Sequence, residues 1–172
     1  MNNNEGKILK EIFAKPAYKF HVRELAKITK LNPNTILNIA ERLVKEGVLL
    51  KEKKRHVTEL YFNTENPRAK IKKKMYNLAK VYESGVADFL YEKYVPEAIV
   101  LMGSYSRGED TENSDIDLAI ISNKEGHPDL SNYEKFLNRK IHLIVTNYKR
   151  MSEEFYINMV NGVVLRGAIS KK

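Results

Sequence analysis

The stretch "AIVLMGSYSRGEDTENSDIDLAIIS", residues 98–122, constrains the fold more than any other. "AIVLMGS" reads as a buried strand that ends in Gly-Ser, "YSRGE" as the start of a short helix and "TENS" as a loop. "DIDLAIIS" is a second strand. Side chains alternate along a strand, so Asp115 and Asp117 share one face while Ile116 and Leu118 turn into the core. Two carboxylates on one face repel each other. They are stable together when a divalent cation bridges them, and an all-oxygen ligand pair suits magnesium or manganese. Gly103 lets the backbone approach a phosphate closely. Ser104 offers a hydroxyl and an amide at a helix N-terminus, and Arg107 adds a charged donor. A phosphate cradle beside a dicarboxylate describes nucleotidyl or phosphoryl transfer from a nucleoside triphosphate.

Charge divides the chain in two. Residues 1–80 carry 19 Lys and Arg against 8 Asp and Glu, a net +11; residues 81–172 carry 11 against 14, a net −3. The first part is built to face a polyanion, or else is a solvated lysine-rich surface. Ile8, Leu9, Ile12 and Phe13 share one helical face, and Pro16 ends that helix. Val22, Leu25, Ala26 and Ile28 fit a second helix. "KLNP" turns the chain, Asn32 or Asn34 caps a third helix, Pro33 starts it, and Gly47 closes it. Ile36, Ile39, Ala40, Leu43 and Val44 form its apolar stripe. Two strand-like runs, Val48–Lys51 and Val57–Phe62, flank the charged tip "KEKKRH".

Helix, helix-turn-helix and basic hairpin together resemble the winged helix-turn-helix domains of transcription regulators, over about residues 5–65. The resemblance implies double-stranded DNA as partner. Asn34, Thr35, Asn38 and Arg42 of the third helix would meet the major groove. Lys51, Lys53, Lys54 and Arg55 of the hairpin would meet phosphates or the minor groove. Protein contact or dimerisation is the competing use of such a domain. Asn66 and Pro67 open a long connecting helix over residues 66–94, with Ile71, Met75, Leu78, Tyr82 and Phe89 on one stripe. That stripe packs on one half or forms a dimer seam.

Gly103-Ser104, ten residues, then Asp115-x-Asp117 is similar to the signature of the DNA polymerase β-like nucleotidyltransferases, and is nearest their minimal members. "INMVNGVVLRG" near the end also resembles small members of that family. The resemblance covers about residues 90–167. It implies an α/β fold with a mixed sheet, a Mg2+ (or Mn2+) cofactor on Asp115 and Asp117, and a triphosphate held by Gly103, Ser104 and Arg107. A third carboxylate belongs on the strand "KIHLIVTN". That place holds His142, and no Asp or Glu occurs between Glu134 and Glu153. His142 replaces it in catalysis, or is an inert or DNA-contact position, with Glu153 or Glu154 as other sources of the carboxylate.

The chain is therefore expected to have two domains: an α+β winged helix at 1–65, then, after the connecting helix, an α/β nucleotidyltransferase-like domain at 95–172. Besides a nucleotidyltransferase whose winged domain holds a nucleic-acid acceptor, two functions remain open. One is transfer of a nucleoside monophosphate to an unidentified acceptor, a partner protein among the candidates. The other is a DNA-binding regulator, dimeric on two half-sites, whose second domain is catalytically silent. The chain has no cysteine, which excludes disulfides and thiolate metal sites. Its first residues hold no apolar signal core, and no apolar run approaches the roughly 18 residues of a membrane span, so a cytoplasmic protein is expected.

Overall fold

The apolar face of Ile8, Leu9, Ile12 and Phe13 folds as a helix, α1 (Asn3–Ala14), and all four side chains are buried. Pro16 forbids the helical conformation to the residue before it, so α1 stops at Ala14. The computed structural model describes residues 3–54 and 57–170. The chain divides into two compact units, Met1–Lys73 and Lys74–Lys172.

In the first unit, β1 (Phe20–His21) and α2 (Val22–Thr29) follow α1. His21 is the N-cap of α2, and its amide donates to Glu24 Oε2 at 3.3 Å. Val22 and Leu25 are buried on the inner face of α2 as expected, but Ile28 is exposed and Thr29 is buried in its stead. The third helix, α3 (Pro33–Lys45), begins with Pro33 at its first position. Of the two candidate caps, Asn32 does the work, its side chain accepting the Asn34 amide at 2.9 Å. At the other end Gly47, at φ 74°, donates to Val44 O, and Val48 donates to Leu43 O. That pair of bonds is a Schellman closure, which needs the left-handed conformation glycine adopts at no steric cost.

Strands β2 (Leu49–Lys54) and β3 (Val57–Phe62) pair antiparallel from Leu49↔Phe62 to Lys54↔Val57, and β1 pairs on the other side of β3. Phe13 packs edge-to-face on Phe62 at 5.3 Å. Glu5, almost fully buried, binds Arg42 and, at 3.0 Å, Lys72, which also reaches Glu46 at 2.9 Å. Burial opposes the charge on Lys72, but these two carboxylates outweigh it and hold its pKa above the usual lysine range.

The connecting helix differs from expectation. It is two helices, α4 (Pro67–Ser84) and α5 (Val86–Tyr94), broken at Gly85, which sits at φ 76°. Asn66 does cap the first, accepting the Arg68 amide at 2.9 Å. The expected stripe is buried only in part: Leu78 and Phe89 pack against the core of the second unit, while Ile71, Met75 and Tyr82 are exposed. The buried line is Ala69, Lys73, Asn77 and Val81. Two polar side chains find partners there: the Lys73 ammonium lies 5.6 Å from the Phe62 ring centre, and the Asn77 Nδ2 group donates two hydrogen bonds.

The second unit is built on β4 (Ala98–Met102), α6 (Gly103–Arg107), β5 (Ile116–Ile121), α7 (Ser131–Leu137), β6 (Ile141–Thr146), α8 (Glu153–Val160) and β7 (Val163–Gly167). The sheet order is β6-β5-β4-β7. β4 runs antiparallel to β5 and β7, while β5 and β6 are parallel, so the sheet is mixed as an α/β nucleotidyltransferase fold requires. Ile99, Leu101, Ile116, Leu118 and Ile120 turn to one face and pack with Val86, Ala87, Leu90 and Tyr94. Ala98, Val100, Ala119 and Ile121 turn to the other, against Met151 and Met159. No helix among the described residues is long and apolar enough to cross a membrane.

Candidate active site

Met102 and Asp117 are cross-strand partners, so the end of β4 lies beside the start of β5. Gly103 follows at φ 66°. A Cβ at this position would fall 2.2 Å from Asp117 Oδ2. The Asp117 carboxylate thus lies against the Gly103 backbone, and only glycine permits both the conformation and the approach. Asp115 immediately precedes β5 and is exposed. Ser104 opens α6 half-buried, and Ser106 Oγ donates to Gly103 O at 2.8 Å.

A buried network holds this corner. Asn77 Nδ2 donates to Asp110 Oδ1 at 2.7 Å and to the Tyr105 carbonyl at 3.0 Å. Arg139 comes within 3.7 Å of Asp110 and donates to the Glu112 carbonyl. The loop that returns the chain to β5 is closed by the Thr111 amide donating to Ser114 Oγ at 2.9 Å. Burial pushes the Tyr105 hydroxyl well above its ordinary pKa. Asn77, Asp110 and Arg139 carried no sequence signal: each pairs with a residue far away along the chain.

His142 stands opposite Asp117 in the parallel register. Its Nδ1 is 3.1 Å from Asp117 Oδ1, with the side chains 60% and 33% exposed. The residue expected where a third carboxylate belongs is therefore a direct neighbour of the second one. Glu153 and Glu154 lie in the first turn of α8, which Ser152 caps through the Phe155 amide at 3.1 Å. Among the described residues no three His, Asp or Glu side chains converge as a ready metal cluster. Two carboxylates on a solvent-facing rim do fit magnesium or manganese, hard cations that keep several waters when bound by one or two carboxylates. Arg107 donates from Nε to Glu109 Oε2 at 2.8 Å, and both are exposed.

On the first unit, Asn34 and Asn38 are exposed on α3 and Thr35 is half-buried. Arg42 does not project freely from the helix: its guanidinium is bound to Glu5 and lies 4.0 Å from Glu46. Lys51 is 3.4 Å from Glu41, and Lys54 is 3.3 Å from Glu52 and 3.2 Å from Glu59. Hydrogen bonds that the Lys54 ammonium donates to Glu59 and Glu52 hold it above its usual pKa. Lys53 is exposed with no carboxylate partner among the described residues. Arg55 lies outside the described residues.

Residues 83–163 match the family model described as a nucleotidyltransferase domain. A protein from Methanocaldococcus jannaschii named as a protein adenylyltransferase is 42% identical over 62 residues, 32% of this chain and 62% of that relative. The chain spans less than two thirds of the relative's length. The family match assigns a nucleotidyltransferase domain to this part of the chain.

Proposed function

We propose that the second unit transfers a nucleoside monophosphate from a nucleoside triphosphate to a hydroxyl on an acceptor protein, and that residues 1–65 are a winged helix that binds double-stranded DNA. One observation carries the transfer reading. The Gly103–Ser104 turn and the Asp115–Asp117 pair occur together, with Asp117 packed on the Gly103 backbone, within a segment that matches nucleotidyltransferases. The protein acceptor follows from the name of the relative.

Asp115 and Asp117 would hold Mg2+ or Mn2+, which neutralises the triphosphate's developing charge. Gly103 and Ser104 position the phosphates, and Arg107 joins them by exchanging Glu109 for a phosphate oxygen. The acceptor oxygen attacks the α-phosphorus, the bond to the β-phosphate's bridging oxygen breaks, and pyrophosphate leaves. The acceptor's proton goes to His142, whose second ring nitrogen has no partner among the described residues while Nδ1 is oriented by Asp117. DNA binding is supported by the charge of residues 1–65, 13 Lys and Arg against 8 Asp and Glu, which the basic start of the connecting helix raises to +11 over residues 1–80, and by the order of three helices and a basic hairpin. A dimer reading two half-sites is part of this proposal.

The absence of a third carboxylate favours a second reading: a retained metal–nucleotide pocket in a regulator without turnover. Each α-phosphate-labelled NTP, incubated with the protein, magnesium or manganese and cell extract, separates the two. Label moved to protein, and lost in Asp117→Asn, supports transfer. Metal-dependent thermal protection by the nucleotide without label supports the silent pocket. Neither label nor protection overturns both.

A further inference from the structure

β6 is the terminal strand of the sheet. Ile116 N–H donates to Lys140 O, and Ser122 N–H to Thr146 O, both at 2.8 Å. In a parallel ladder this alternation turns the main-chain groups of His142 and Ile144 toward β5, and those of Ile141, Leu143 and Val145 outward. The Ile141 amide is taken by Glu134 Oε1 at 2.9 Å. The outward groups of Leu143 and Val145 have no partner among the described residues. An open edge of this kind accepts a further strand.

The side chains beside that edge are suited to one. Ile141, Leu143 and Val145 are half-buried and, with Leu130, line a cleft of about 510 Å3. Its rim carries Glu125, Asp129 and Glu134; Arg150 pairs with Glu125 and Lys140 with Glu134, at 3.0 Å, and Asp129 has no cation partner among the described residues. The Arg150 guanidinium on Glu125, the Ser131 amide on Asp129 and the Ile141 amide on Glu134 hold all three carboxyls below their ordinary range, so the rim is negative at neutral pH. The same strand carries His142 on its opposite face, beside Asp117.

We propose that the β6 edge is where the acceptor protein docks. An extended segment flanked by Lys or Arg adds to β6 as a strand. Its alternate apolar side chains enter the cleft, and the intervening ones, the acceptor hydroxyl among them, turn to the Asp117–His142 face. Strand addition gives affinity through main-chain bonds and specificity through alternate side chains. Adjacent strands are about 4.8 Å apart, so the residue paired with His142 lies one strand from His142 and two from Asp117. The negative rim selects a basic segment and repels nucleic acid. This inference rests on the proposed transfer to protein and specifies how that acceptor is held.

The test uses the full chain and a fluorescein-labelled heptapeptide of alternating valine and threonine, with a central tyrosine and lysine at both ends. A second peptide has glutamate ends. Leu143→Pro removes one outward N–H, and Leu143→Asp places a charge in the cleft without altering the backbone. Circular dichroism checks that both variants fold. Anisotropy should show the lysine peptide binding at least about tenfold tighter than the glutamate peptide, and losing at least about tenfold on either substitution. Equal affinity for the two peptides, or wild-type affinity in both variants, overturns the docking site. Peptide bound normally, with neither it nor any extract protein labelled from any of the four NTPs, overturns transfer and leaves docking standing. Extract proteins labelled as strongly by Leu143→Asp as by wild type overturn docking and leave transfer standing.

Discussion

Gly103 concentrates the demands on the site in one residue. Its φ of 66° strains any side-chain-bearing residue, and its missing Cβ makes the room that Asp117 Oδ2 occupies. Gly103→Ala should therefore cost about 1–3 kcal/mol of stability and also displace a carboxylate. Gly85 separates the two effects. It is as strained, at φ 76°, but nothing lies within 4 Å of its Cβ position. Gly85→Ala should lower the denaturation midpoint and keep metal-dependent nucleotide protection; Gly103→Ala should lose both. Protection surviving in Gly103→Ala would mean that Asp117 does not need its present place. The sequence already pointed to Gly103, Ser104, Asp115 and Asp117 through strand alternation and the spacing of a single loop, and to His142 through the family resemblance, which asks for a carboxylate at that place. It could not reveal Asn77, Asp110 and Arg139, which brace that loop from separate segments and have no local pattern.

At the scale of elements, local rules succeeded where partners are near in sequence. α1, α3 and the β2–β3 hairpin follow from apolar spacing, a cap and a glycine. β1 was not foreseen: two residues have no period, and only pairing with β3 makes them a strand. On α4 the apolar stripe does not coincide with the buried side: Lys73 and Asn77 are inside with partners, Leu78 is partly buried, and Met75 is outside. Charge on the hairpin is likewise refined by its neighbours. Lys54 is shared between Glu52 and Glu59, and Lys53 is not. A phosphate must compete with two carboxylates for Lys54 but with none for Lys53. Lys53→Ala should then lower the slope of log affinity against log salt by about 1, and Lys54→Ala by less. Fluorescence anisotropy on duplex DNA at several salt concentrations measures both. Equal effects would show that the Lys54 pairs yield to DNA at no cost.

At the scale of the molecule, net charge and chemistry are held by different parts of the chain. Residues 1–80 carry +11, and the carboxylates sit in a remainder of net −3. DNA affinity driven by counterion release should fall at least about tenfold between 50 and 200 mM salt. A nucleotide bound through a metal on two carboxylates releases few counterions, so its protection should change by less than about threefold over the same range. Asp117→Asn should abolish that protection and leave DNA affinity and its salt slope unaltered. Titrating one preparation with labelled duplex and with Mg-ATP measures both responses. If the two decline in parallel, or if Asp117→Asn weakens DNA binding, DNA and nucleotide share one surface, and the assignment of DNA to residues 1–65 is wrong. If they separate, the basic charge serves a polyanion and the acidic unit works on a smaller substrate. The repulsion between the carboxylate rim and a polyanion then keeps the acceptor cleft free of nucleic acid.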